Sequence, residues 1–71
     1  MSRLLVETGE ALYGPRWQSD LARDLGVADR TVRRWATGVT NPPPGVYTDL
    51  MQLAIKRAKR LDDLADRLRA A

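Results

Sequence analysis

The sequence predicts an all-α protein, a small helical bundle of four to five helices with a long C-terminal helix. Apolar residues recur every three to four positions along most of the chain, which is typical of helices with one buried face. Three consecutive prolines separate a region of short helical stretches from one long uninterrupted stretch. With 71 residues the chain has room for a single domain, residues 1–71.

The first helix is predicted from an apolar stripe close to the N-terminus. Ser2 is its possible N-cap, and Gly14 with Pro15 ends it. Gly9 inside an exposed helix costs about 1 kcal/mol relative to alanine, so we expect a close helix contact at this position. The stripe consists of Leu4, Leu5, Thr8, Ala11 and Leu12.

Residues 17–38 carry the pattern of a helix-turn-helix, two short helices joined by a tight turn that contains glycine. In its first helix Leu21, Ala22 and Leu25 share one face, and Gly26 fits a left-handed C-terminal cap. Ala22 is small enough to let the second helix cross close to it. We expect Trp17, which begins this helix, to fill the core.

The second helix of this motif is predicted to divide sharply into an apolar and a basic side. Val32 and Trp35 recur at helical spacing on the inward side, and Gly38 ends the helix. No acidic residue follows three or four positions after the arginines to neutralise them, so an anionic partner is expected. The basic side consists of Arg30, Arg33 and Arg34.

The rest of the chain is predicted to be a stiff connector, residues 39–45, followed by a C-terminal helix over residues 46–70. That helix is either one long helix or two with a bend near Lys59. Its apolar residues exceed what one small motif can cover, and we predict that Leu61, Leu64 and Leu68 form a homodimer interface. The seam, with Tyr47 predicted in the core, is Tyr47, Leu50, Ala54, Leu61, Leu64 and Leu68.

Composition excludes several classes of protein. The chain has no cysteine and no histidine, which removes disulfides, thiol nucleophiles and the commonest metal ligands. Glu7 and Glu10 have no neighbouring residues that would complete a catalytic site, so we expect no enzyme, no metal and no cofactor. No apolar stretch reaches the length of a membrane span, and no effector pocket is evident. We therefore expect a cytoplasmic protein without a small-molecule ligand.

The charge balance favours a nucleic-acid partner. The formal net charge is +3, the pI is near 10, and ten of the twelve cationic residues are arginine. Arginine can donate two parallel hydrogen bonds to a phosphate or to a guanine edge, which lysine cannot do.

The segment QSDLARDLGVADRTVRRWATG, residues 18–38, resembles the motif of Cro-like and lambda-repressor-like DNA-binding domains. The resemblance implies that Gln18 meets a phosphate and that Arg33 lies near the strand backbone. It also implies base contacts by Asp29, Arg30 and Arg34. Thr31 and Asn41 are predicted as further backbone contacts.

Two positions depart from the family pattern. Ala28 stands where a serine or threonine usually caps the recognition helix, and Trp17 stands where a threonine or serine is common. Asp29 is therefore expected either to cap this helix or to read a base. The layout, with PPPGVYTDL before the last helix, also resembles the small anti-CRISPR-associated repressors of phage and mobile elements.

The expected function is sequence-specific binding of double-stranded DNA. The resemblance implies a transcriptional repressor that binds an inverted repeat as a homodimer and occludes a promoter. The alternative is a protein-interaction module such as an antitoxin, whose C-terminal helix binds another protein.

Overall fold

A computed structural model describes residues 3–71, and this part of the chain folds into four α-helices without a strand. The all-α prediction is confirmed, and the last helix is one continuous element with no bend that divides it. The predicted cap at Ser2 lies outside the described residues. The helices are α1, Arg3–Tyr13, α2, Trp17–Leu25, α3, Asp29–Thr37, and α4, Pro44–Ala70.

One core holds α1, α2 and α3 together, and the beginning of α4 covers it. None of the three short helices can bury its apolar face alone, so each contributes to a shared centre. Both tryptophans are only 5% exposed, which confirms that they fill the core. The buried apolar residues are Leu5, Leu12, Trp17, Leu21, Ala22, Val32, Trp35 and Leu50.

Gly9 lies directly under the ring of Trp17, which explains a glycine in the middle of α1. A Cβ atom at this position would overlap the six-membered ring of the indole. The expected close contact at Gly9 is therefore confirmed. Trp17 is the first residue of α2, with Arg16 as the N-cap, and its side chain serves the α1–α2 contact.

The apolar stripe of α1 is only partly covered. Leu5 and Leu12 are buried, whereas Leu4 is 61% exposed and Ala11 is exposed as well. The prediction that the apolar stripe is buried is therefore wrong for Leu4 and Ala11. The stripe is wider than the contact that α2 and α3 provide, so its edge faces α4 and solvent.

α4 begins at Pro44, two residues earlier than the predicted start at residue 46. Pro43 is the N-cap and Pro44 occupies the first helical position. A proline is tolerated there because the N–H that it lacks would have no acceptor within the helix. The connector is correspondingly shorter than residues 39–45, and Pro42 within it is buried.

Most of α4 extends past the core. Leu50 is its only buried residue, and the protein measures 47 × 22 × 20 Å along its principal axes. Leu61 is 57% exposed, Leu68 is 74% exposed and Leu64 is half-buried. Tyr47 is also exposed, so its predicted place in the core is wrong; it lies one helical turn before Leu50, at the border of the contact between α1 and α4.

A polar contact fixes α4 against the end of α1. The Arg57 guanidinium donates a hydrogen bond of 2.6 Å to the Leu12 carbonyl and lies 5.8 Å from the centre of the Tyr13 ring. The Tyr13 hydroxyl in turn donates to Asp24 on α2. Partial burial, and then the neighbouring Asp24 carboxylate, raise the pKa of Tyr13 to about 12.

Candidate nucleic-acid interface

The turn between α2 and α3 has the backbone geometry that the sequence predicts. Gly26 adopts a left-handed conformation with φ of 73°, which residues with a side chain rarely adopt. Its N–H donates to the Arg23 carbonyl at 3.2 Å, and the Val27 N–H donates to the Ala22 carbonyl at 3.0 Å. These bonds satisfy the last carbonyls of α2, so the turn holds the two helices at a fixed angle.

α3 packs tightly against this frame. Ala22 and Val32 are fully buried, and Trp35 is buried one turn further along α3. A small residue at position 22 lets the two helices approach closely, and Val32 fills the space at their crossing. Both inward-facing positions predicted for α3 are confirmed, and rigid packing fixes the direction of its opposite side.

The opposite side of α3 presents three exposed arginines to solvent. Within residues 3–71, none of them forms an ion pair with a carboxylate. Three guanidinium groups within two helical turns repel one another unless an anion lies nearby. The surface can therefore bind several phosphate or base acceptors at once. The three residues are Arg30, Arg33 and Arg34.

The N-terminus of α3 is not capped by the Asp29 side chain. Ala28 is the N-cap and has no side-chain cap bond, so the hypothesis that Asp29 caps the helix is wrong. Asp29 is instead the first helical residue, and its carboxylate accepts a hydrogen bond of 2.8 Å from the Ser19 hydroxyl. This bond links α2 to α3. Base reading by Asp29 stays a prediction.

The beginning of α2 contributes a second polar surface. Gln18 is half-buried, and a shallow surface depression is lined by Pro15, Arg16, Gln18 and Ser19. Arg16 is exposed, caps no N–H group with its side chain and forms no ion pair within the described residues. Arg16 is not among the DNA contacts predicted from the sequence because it precedes the motif. Its position directly before a helix is nevertheless a feature from which an anion contact could be predicted.

Thr31 and Asn41 lie at the borders of this surface. Thr31 is half-buried on α3, and Asn41 is exposed in the connector. The connector turns back on α3, because the Val39 and Thr40 N–H groups donate to the Arg34 carbonyl at 3.0 and 3.4 Å. DNA contact by Thr31 or Asn41 stays a prediction.

The described residues contain no cluster of three or more side chains suited to hold a metal ion. None of the helices in this part of the chain combines the length and the apolar character that crossing a bilayer requires.

Comparison with known proteins adds no relative from which a function could be transferred. No protein family, no curated protein and no solved structure matches this chain. The arrangement of α2 and α3 and the charge on their outer side are therefore the basis for any functional conclusion.

Proposed function

We propose that this protein is a sequence-specific regulator that binds double-stranded DNA and places α3 in the major groove. One observation carries the proposal: Arg30, Arg33 and Arg34 project unpaired from a helix whose other side is locked into the core. The resemblance of residues 18–38 to the Cro-like motif supports it. The protein would act in the cytoplasm as a homodimer and would need no cofactor.

In the proposed mode of binding, Arg30 and Arg34 read base edges. A guanidinium can donate two parallel hydrogen bonds to O6 and N7 of guanine. Arg33 and Gln18 contact the DNA backbone and fix the register of α3 in the groove. Asp29, positioned by Ser19, is available to accept a hydrogen bond from a cytosine amino group through its remaining oxygen.

A single recognition helix gives little discrimination between sequences, so two copies on an inverted repeat are expected. Such a dimer would cover a promoter and exclude RNA polymerase. Regulation by occlusion fits the small size of the chain.

Selection of bound duplexes from a random pool tests this function. The selected duplex is then titrated against scrambled DNA at two salt concentrations, because the salt slope measures phosphate contacts and the affinity ratio measures base reading. Enrichment of an inverted repeat with a large ratio is expected. A steep salt slope without any sequence preference would contradict the proposal.

Two triple variants with the same change in net charge distinguish the effect of the α3 arginines on DNA binding from the effect of net charge. Replacing Arg30, Arg33 and Arg34 by alanine should abolish selective binding. The control replaces three exposed arginines that each pair with a carboxylate, which changes the charge equally and should preserve the affinity ratio. These control residues are Arg3, Arg23 and Arg60.

A second candidate function is a protein-interaction module such as an antitoxin. The exposed apolar residues of α4 favour it, because apolar patches mark surfaces that bind other proteins. Changing Leu61 and Leu68 to aspartate discriminates the two functions. Binding to the inverted repeat falls if these residues pair two copies, and it persists if they bind an unrelated protein.

A further inference from the structure

An open groove runs between α1 and α4 on the side away from the core. Small side chains form most of its floor, and its walls are the two nearly parallel stretches Leu4–Leu12 and Tyr47–Leu61. We call this surface the α1–α4 groove. It is lined by Thr8, Ala11, Met51, Ala54, Ala58 and Leu61.

Beyond the groove, α4 continues as a single projecting helix. Leu61, Leu64 and Leu68 follow one another at steps of three and four residues and form a row that we call the leucine ridge. Groove and ridge meet at Leu61 and together make one continuous apolar face. With Leu4, Met51 and Leu68 each more than half exposed, this face presents on the order of several hundred Å² of apolar surface, as interaction sites do.

We infer that a second copy of this chain covers this face, with the leucine ridge of each copy in the α1–α4 groove of the other. The inference deepens the homodimer of the proposed function, on which it rests. The two α4 helices would run antiparallel, with the twofold axis close to Leu61.

Shape favours this arrangement. A twofold interface joins the same surface patch of both copies, so the patch must be complementary to itself. In the antiparallel arrangement Leu68 of one copy lies opposite Ala54 of the other, so that large side chains meet small ones. A parallel arrangement would oppose the two ridges to each other and bring the two α1 helices into collision over the grooves.

Charge favours it as well. On α1 the exposed carboxylate of Glu7 lines the wall of the groove and pairs with Arg3 at 4.0 Å. The end of the ridge carries Arg67 and Arg69, which pair with aspartates of α4 at the surface. The antiparallel arrangement places these arginines beside the Glu7 carboxylate of the other copy, whereas a parallel arrangement places them beside each other.

The size of the face can be compared with known interfaces. Standard interfaces bury about 800 Å² per partner. The exposed apolar side chains of this face supply on the order of several hundred Å² toward that value. Leu50, which anchors α4 in the core, lies about 16 Å from Leu61 along the helix, so the two bundles are held about 33 Å apart at these anchors.

Disulfide trapping tests the inference, because the chain has no native cysteine. Two chains with one substitution each, Ala54→Cys and Leu68→Cys, are oxidised separately and as a mixture without DNA. In a second experiment Ala58→Cys takes the place of Ala54→Cys, which allows for a shift of one helical turn between the two copies. Disulfides need Cα atoms within about 7 Å, which only facing positions satisfy. We expect the mixed dimer to form efficiently and each variant alone to remain unlinked.

Leu61→Cys provides the second readout, and Asp63→Cys, on the opposite side of α4, measures random collision. Leu61→Cys alone should form a linked dimer, since Leu61 lies near the twofold axis. Links within each single variant at positions 54 and 68, without enrichment in the mixture, would indicate parallel helices and overturn the inference. No linkage above the Asp63→Cys level, with a monomer in sedimentation, would overturn it too. Because DNA is left out, failure of the DNA selection leaves this result intact.

Discussion

α3 and the distal half of α4, residues 54–70, both present arginines to solvent. They differ in the side chains that lack a partner, which are charged on α3 and apolar on distal α4. α3 buries Val32 and Trp35 and leaves its arginines unpaired. Distal α4 buries none of its apolar residues but pairs three of its arginines with aspartates along the helix, as in Arg60–Asp63 at 3.7 Å and Arg67–Asp63 at 3.8 Å. Arginine content alone therefore does not identify a DNA-binding surface.

The difference indicates two kinds of partner. A helix with satisfied apolar contacts and unsatisfied charge is suited to an anion, and DNA supplies a regular array of phosphates. A helix with satisfied charge and unsatisfied apolar surface is suited to another protein surface. The exposed ion pairs of α4 contribute little to stability, about 0 to 1 kcal/mol each, but they reduce the attraction of distal α4 for DNA.

The largest expected effect comes from replacing a leucine by alanine in the core that holds α3, compared with the same replacement in distal α4. Leu21→Ala should lower the free energy of unfolding by about 2 to 5 kcal/mol, because Leu21 is fully buried and its removal leaves a cavity. Leu68→Ala should change it by less than about 0.5 kcal/mol in a dilute, monomeric sample. Urea unfolding followed by circular dichroism measures both. Equal losses would mean that distal α4 belongs to the core of the monomer.

Two glycine substitutions compare tight and open packing. Gly9→Ala should destabilise the protein by about 1 to 3 kcal/mol, because the added methyl group overlaps a Trp17 ring that has no room to move. Gly45→Ala, in the first turn of α4, meets no atom within 4 Å and should stabilise it by up to about 1 kcal/mol. Thermal unfolding of both variants checks this. A stabilised Gly9→Ala protein would show that Trp17 can leave α1.

DNA binding should separate the arginines of the two helices. Arg34→Ala should cost about 1 to 3 kcal/mol on the selected site and relax preference at one base pair, because a bidentate base contact is lost. Gln18→Ala should weaken binding to all sequences alike, and Arg60→Ala, which removes an arginine paired with Asp63, should leave the specific affinity nearly unchanged. Competition titrations measure these differences. An equal loss on every duplex for Arg34→Ala would contradict its role in base reading.

The sequence predicts the bundle well because its signals are local. Gly26 requires a left-handed turn, and the spacing of Val32 and Trp35 determines the inward side of α3. The sequence predicts burial and side-chain contacts less well where they depend on how two helices pack against each other. The exposure of Leu4 and Tyr47 depends on the width of the α1–α4 contact, and the hydrogen bond from Ser19 to Asp29 depends on the crossing angle of α2 and α3. A local sequence pattern determines neither the width of the α1–α4 contact nor the crossing angle of α2 and α3.

The smallest expected effect concerns the junction where α4 leaves the bundle. Because burial and Asp24 raise the pKa of Tyr13 from 10.0 to about 12, the folded protein keeps the phenol protonated where the unfolded chain releases the proton. The contribution of this group to stability is therefore complete below pH 10 and is lost as the pH rises through 12. Tyr13→Phe should remove this part of the pH dependence.

Absorbance titration at alkaline pH measures the same group directly. In a Tyr47→Phe protein Tyr13 is the only tyrosine, so the titration curve belongs to it alone. A midpoint near 12 is expected, and Asp24→Asn should lower it only in part, because burial, the largest cause of the shift, remains. An ordinary midpoint in the folded protein would mean that Tyr13 is solvated and that Arg57 alone holds α4 against the end of α1. Distal α4 would then be anchored by Leu50 and a single hydrogen bond to the Leu12 carbonyl, and its direction relative to α3 would be far less fixed.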